Sequence, residues 1–203
     1  MGYIATHYHC INTHTPHYTP HAKHIFIIMK QQTPKCGIYW LLAVLCALVF
    51  SGVSVANPLD DLKKVGEAKL KVLFWDVYNS SLYSKTGEYQ AEQFPQALKV
   101  NYLRDIDAED LIERTQDEWE KLGIKQVTFS QWIPLLTNIF PDIKKGDSLL
   151  LSVSENQQSE FFFNGKTIGK ITDQTFGKSF LRIWLDEKCS YPKVRNKLIG
   201  LNK

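Results

Sequence analysis

Residues 65–78 read VGEAKLKVLFWDVY. Leu70, Val72 and Phe74 alternate with Lys69 and Lys71, the period-two pattern of a strand with one wet face. From Leu73 the alternation fills in, because Leu73, Trp75 and Val77 add apolar side chains on the other side. The stretch therefore predicts one long strand whose second half is covered on both faces. Working outward, NSSLYSKTGEY (79–89) predicts a turn into a short second strand, followed by a Thr86-Gly87 turn. ALKVNYL (97–103) alternates again and predicts a third strand.

Residues 106–123 carry the clearest helical signal. Ala108, Leu111, Ile112, Thr115, Trp119 and Leu122 fall on one stripe. Asp107 is placed to cap this helix, Ile106 and Leu111 to staple its start, and Gly123 to end it. Asp110 with Arg114 and Asp117 with Lys121 are spaced as i,i+4 ion pairs on its wet face. A shorter helix fits Ser130–Phe140, with Pro134 near its start and Pro141 stopping it. Strands return as LLLSVSE (149–155) and EFFFNGKTIGKI (160–171), where Asn164-Gly165 marks a hairpin. Asp173 then caps a helix with Phe176, Phe180, Ile183 and Trp184 on one face, and Tyr191-Pro192 opens a last helix closed by Gly200. Strands, two helices, strands, two helices predict an α+β fold: an antiparallel sheet packed on one face by helices, an open-faced sandwich.

The first 56 residues have a different character. All six histidines (His7, His9, His14, His17, His21 and His24) and three of the four cysteines (Cys10, Cys36 and Cys46) lie there. CGIYWLLAVLCALVF (36–50) has no charge, Lys30 and Lys35 precede it, and Ser54 and Ala56 follow at the −3 and −1 positions of a cut. That is the order of a secretory signal peptide, with cleavage after Ala56 and delivery to the periplasm. Fifteen helical residues span about 22 Å, short of the ~30 Å hydrocarbon core, and an uncleaved N-terminal anchor is the alternative. Met29 offers a start that gives the signal an ordinary length. Residues 1–28 then read as an upstream extension, 29–56 as the signal and 57–203 as the working domain. The histidine spacings lie among Thr, Pro and Tyr with no frame to hold ligands, so no metal site is read from them.

Cleavage would also neutralise the chain. Lys23, Lys30 and Lys35 account for three of the 24 basic residues and none of the 21 acidic ones lies upstream, leaving 21 of each sign. A neutral domain has no basic stripe for phosphates, which argues against a nucleic-acid partner. One remaining cysteine, Cys189, allows no internal disulfide and no cysteine-built zinc site, and we read it as structural or incidental. No cofactor motif is read, and membrane contact is expected only through the signal segment. The oligomeric state is left open.

Several stretches together, VGEAKLKVLFWDVYNSSLY, YLRDIDAEDLIERTQDEW, WIPLLTNIFPDIKKGD, FNGKTIGKITDQTFGKSFLRIWLD and YPKVRNKLIG, resemble the bacterial chalcone isomerase-like proteins over residues 62–201. The resemblance implies the chalcone isomerase fold, with a ligand cleft between sheet and helices. Plant chalcone isomerases cyclise a chalcone to a flavanone, whereas other members of the fold lack that activity and some bind fatty acids. The enzymes carry an arginine just before the long strand, a threonine on it, and a tyrosine and an asparagine on or near the following helix. With Asp76-Val77-Tyr78 set on the Gly-Val-Tyr of the plant enzymes, the threonine falls at Leu73 and the arginine has at best Lys69. Leu73 donates no hydrogen bond, and Lys lacks the planar fork of Arg. Both departures count against chalcone cyclisation.

No histidine follows residue 24, so acid–base chemistry in this domain would rest on Tyr, Lys, Asp or Glu. Asp105, Asp107, Glu109, Asp110 and Glu113 suit a helix start and its solvated face. Asp76, between Trp75 and Val77, reads either as a buried carboxylate needing a partner or as a strand-end residue at a turn. The aromatics Trp75, Tyr78, Tyr83, Tyr102, Trp119 and Trp132 read first as core, and as a set they favour an apolar cleft with a few polar handles. Arg104 and Arg114 are candidates for gripping a carboxylate, Arg114 beside the buried stripe and Thr115 on it. The candidate ligand-binding residues are therefore Lys69, Trp75, Tyr78, Tyr102, Arg104, Arg114, Thr115 and Trp119, with no catalytic residue assigned. The expectation is an exported, non-catalytic binder of a small apolar or amphipathic ligand such as a fatty acid. An isomerase or intramolecular lyase using Tyr78, Tyr102 or Lys69, and a structural envelope protein with a filled cleft, are the alternatives. An open cavity between the sheet and the 107–122 helix would speak for a binder.

Overall fold

The computed structural model describes residues 57–201. The signal segment, the upstream extension and the histidine tract lie outside them. Six strands form one antiparallel sheet in chain order. They are β1 (Lys63–Val72), β2 (Trp75–Ser84), β3 (Gln96–Tyr102), β4 (Ser148–Val153), β5 (Ser159–Phe163) and β6 (Lys166–Ile171). Between β3 and β4 come α1 (Ala108–Lys121), the single turn α2 (Gln126–Phe129) and α3 (Ile133–Ile139). After β6 come α4 (Gln174–Leu185) and α5 (Pro192–Leu198). The α+β class and the sheet-plus-helices architecture agree with expectation, but three helices rather than two separate β3 from β4: the expected Ser130–Phe140 helix is Ile133–Ile139, and the single turn α2 precedes it.

Residues 65–78 are not one strand. β1 and β2 form a hairpin whose last pair is Val72 opposite Trp75, with Leu73 and Phe74 as its two-residue turn. Leu73 takes φ 56°, a conformation usually left to Gly or Asn. The apolar run thus makes a tip, and Leu73, Phe74 and Trp75 are 87%, 97% and 68% exposed. The turn expected at Asn79-Ser80 is instead the middle of β2. Ser80 is fully buried there because its hydroxyl donates to the Ala68 carbonyl at 3.2 Å, so a polar residue sits in a central strand without an unpaired group.

Helix α1 departs from expectation at its start. Asp107 makes no side-chain cap, and Asp142 accepts from the Ala108 amide instead, at 3.0 Å. Asp173 does cap α4, accepting from the Thr175 amide at 2.8 Å, and also accepts from Trp132 Nε1 at 2.8 Å. The Asn164-Gly165 hairpin forms with both residues at positive φ.

The core lies between one face of the sheet and the helices. Trp119 is fully buried, with rings of Phe129, Trp132, Phe176 and Phe180 within 6.2 Å and its Nε1–H donating to the Ser179 carbonyl at 3.0 Å. Among the described residues, most buried apolar side chains from Val65 to Leu198 pack into one cluster, while Ala97, Leu150 and Phe162 are buried outside it. The end of α5 lies directly on β1, and a Cβ at Gly66 would stand 2.2 Å from the Lys197 carbonyl oxygen. Only glycine permits that approach.

Candidate ligand cavity

Strand alternation decides which side chains can reach the space beneath the helices. Leu70 pairs with Tyr78, and Tyr78 pairs with Tyr102, so these three share a face. Leu98 and Val100 on β3, Leu149 and Leu151 on β4 and Phe161 on β5 complete an apolar floor. Helix α1 closes one side with Leu111, Arg114, Thr115 and Glu118, and α4 closes another with Phe180, Ile183 and Trp184. These walls leave a cavity of about 240 Å³ that is partly open to solvent. Its exposed lining residues are Val72 at the hairpin tip and Asp110 and Arg114 on α1, so the mouth lies between the tip and that helix. A second hollow of about 480 Å³, near Tyr89, Arg182 and Asp186, is as polar as it is apolar and more open. It lacks the enclosed apolar walls typical of a small-molecule site.

The polar groups of the cavity are few. Trp184 Nε1 donates to the Tyr78 hydroxyl at 2.8 Å, leaving the Tyr78 proton free for another acceptor. Burial pushes the Tyr78 phenol far up from its ordinary pKa, against that hydrogen bond, and burial does the same to Tyr102. Both are therefore neutral donors throughout the physiological range. The Tyr102 hydroxyl has no hydrogen-bond partner among the described residues. Thr115 donates to the Leu111 carbonyl at 2.7 Å, one turn back on its own helix.

Glu118 is the residue that the sequence reading missed. Its side chain is buried, paired with Arg114, with Lys121 at 3.6 Å, and the Ser190 hydroxyl lies 2.9 and 2.7 Å from its two oxygens. The expected surface pairs Asp110–Arg114 and Asp117–Lys121 are thus replaced, because a buried carboxylate draws both cations more strongly than exposed ones do. The signal was available: Glu118 stands three residues after Thr115 and next to Trp119, on the edge of the apolar stripe. Arg114 also reaches the Tyr191 hydroxyl at 3.4 Å, tying α1 to the start of α5.

Of the eight candidate residues, Tyr78, Tyr102, Arg114 and Thr115 line the cavity. Lys69, Trp75, Arg104 and Trp119 do not, and these four placements correct the expectation. Lys69 falls one residue from Leu70 and so takes the opposite face, where it meets Asp76 at 3.0 Å. Lys71 pairs with Asp76 at the same distance, and the two ammonium groups hold its carboxyl below the ordinary range. Asp76 is therefore the strand-end residue of the two readings. Trp75 belongs to the exposed tip, Arg104 is exposed beyond β3, and Trp119 is consumed by core packing. Cys189, buried, lines the cavity with its thiol pushed up by burial. Among the described residues no cluster of His, Cys, Asp or Glu is set to hold a metal, and no helix is long and apolar enough to cross a membrane.

Comparison with known proteins fits this geometry. The model of the chalcone isomerase-like family matches residues 54–200. This chain belongs to the chalcone isomerase-like family. An uncharacterised protein of Haemophilus influenzae is 25% identical over 148 residues, covering 73% of each chain. The crystal structure of a fatty-acid binding protein from Arabidopsis thaliana superposes with a TM-score of 0.56 at 12% identity, over 70% of this chain and 88% of that one. At that identity the likeness shows the shared fold.

Proposed function

We propose that this chalcone isomerase-like protein is exported and binds a small amphipathic ligand with an acyl chain, a fatty acid being the best fit, without transforming it. The observation that carries the reading is the unfilled apolar cavity with Arg114 at its mouth. A cleft serving only structure would be closed by its own side chains, as packed interiors are. The fatty-acid binding protein of the same fold supports the choice of ligand, and the apolar 36–50 stretch with Ser54 and Ala56 supports export. By water-sized portions of about 30 Å³, the enclosed space holds on the order of eight to ten heavy atoms, so a medium-length chain fills it and a longer one projects through the mouth.

Arg114 is the one cation among the lining residues. It can turn from Glu118 to a ligand carboxylate because Lys121 and Ser190 still hold Glu118. Tyr78 and Tyr102 supply neutral hydroxyl donors deeper in. The isomerase alternative is weaker, since Leu73, set at the enzymes' threonine by the resemblance, and Lys69, at best their arginine, both lie outside the cavity. The test compares a medium-chain fatty acid with the alcohol of equal length, titrated calorimetrically into wild type and Arg114→Gln. The reading predicts that the variant loses roughly tenfold or more for the acid, a charge-assisted contact, while the alcohol is unaffected. Equal losses for both, or no uptake of either by wild type, would overturn it.

A further inference from the structure

The hairpin tip is unusual in two respects. Leu73, Phe74 and Trp75 are three large apolar side chains in succession, all exposed, and Leu73 is held at φ 56° where Gly or Asn would be easier. A turn serving only to connect β1 and β2 would be polar and unstrained. Position adds a third point: Val72, next to the turn, lines the cavity, so the apolar surface runs continuously from the tip through the mouth to the interior.

We infer that this tip docks on a phospholipid bilayer, inserting Leu73, Phe74 and Trp75 among the headgroups so that the cavity mouth faces the lipid. Aromatic side chains concentrate at the membrane interface, and Lys side chains set back from them keep their charge in the headgroup layer. Lys69 and Lys71 stand in that place, two ammonium groups sharing the single carboxylate of Asp76, which leaves one positive charge beside the tip. A protein partner fits less well. Two aromatic rings of about 150–250 Å² each and one leucine fall short of the ~800 Å² per partner of a stable protein interface. The sequence confines expected membrane contact to the signal segment (29–56), and the tip is a second, independent contact. Its use as a portal rests on the ligand reading above, whereas the docking itself does not.

The experiment is hydrogen–deuterium exchange of the full chain with and without vesicles of phosphatidylcholine containing a minority of phosphatidylglycerol, read on the peptide spanning residues 72–76. The readout is local, so attachment through the 36–50 stretch does not produce it. Docking predicts roughly tenfold slower exchange at the tip on vesicles, lost in the Phe74→Ser, Trp75→Ser double variant, whose surface changes leave the fold intact. Unchanged exchange on vesicles would overturn the proposal. So would protection that appears without vesicles and grows with protein concentration, which would make a second copy the occupant. Uptake of a fluorescent fatty acid from vesicle-free buffer separates the two claims: a protected tip with no uptake keeps docking and removes the cargo, and uptake with an unprotected tip does the reverse.

Discussion

Glu118 shows how much one buried charge organises. Its carboxylate recruits Arg114 and Lys121 from its own helix and Ser190 from the segment before α5, so two parts of the chain meet on its two oxygens. A hydrogen bond to a buried charged group contributes about 1.5–3 kcal/mol, and Ser190→Ala should lower unfolding free energy in urea by that amount. A change under ~0.5 kcal/mol would mean that water replaces the hydroxyl. Asp173 carries a second linked pair of roles, capping α4 and accepting from Trp132. Burial works against its charge, but the bonds from Thr175, Trp132 and the Thr175 and Phe176 amides outweigh it and hold its pKa below 3.8. A depressed carboxylate stabilises the fold fully above its unfolded pKa, and that contribution is lost as pH falls through the lower folded value. Asp173→Ala should therefore destabilise by about 2–4 kcal/mol at neutral pH, cap and stranded indole together, and flatten the acid limb of stability measured below pH ~4. Residue-level legibility was uneven for a reason visible in these cases. Stripe residues, the α4 cap and the Arg114–Glu118–Lys121 pairs follow local spacing, whereas Asp142 and Ser190 acquire their roles from partners 34 and 72 residues away.

Among the elements, the β1–β2 hairpin is the most instructive. Read as a strand, VLFW looks like buried core, because composition records apolarity and not which surface faces it. No Gly, Asn or Pro marks the turn, so its position was not legible. In β2, Ser80 looked like loop, since a hydroxyl that bonds an adjacent strand carries no one-dimensional signature. The four longer helices, the Asn164-Gly165 hairpin and the alternation of strands and helices were legible, because each rests on local chemistry; the single turn α2 was not. If Leu73 is retained for its side chain at the expense of its backbone, Leu73→Asn should stabilise the isolated equilibrium by about 1 kcal/mol while weakening vesicle protection of the tip. Thermal unfolding checks the first half, and a lower midpoint would contradict it. At the other end of β1, Gly66→Ala sets a methyl against the Lys197 carbonyl. Overpacking of this kind costs about 1–3 kcal/mol, and faster amide exchange in α5 should accompany it. Unchanged exchange in α5 would show that the helix is held elsewhere.

At the scale of the whole molecule, the sheet and helices close a core around Trp119 and leave one apolar volume open beside it. A ligand that enters only the folded state adds its binding energy to stability, about 2.7 kcal/mol at a hundredfold excess over its dissociation constant. The melting midpoint should therefore rise with added fatty acid, and rise most for chains that fill roughly eight to ten heavy atoms of space. The most direct test of the binding account is native mass spectrometry of the purified full chain, with organic extraction of what it carries. The account predicts a co-purified acyl ligand at one per chain, replaced on incubation with a medium-chain fatty acid. A chain that is empty as purified and takes up no fatty acid on incubation would contradict it.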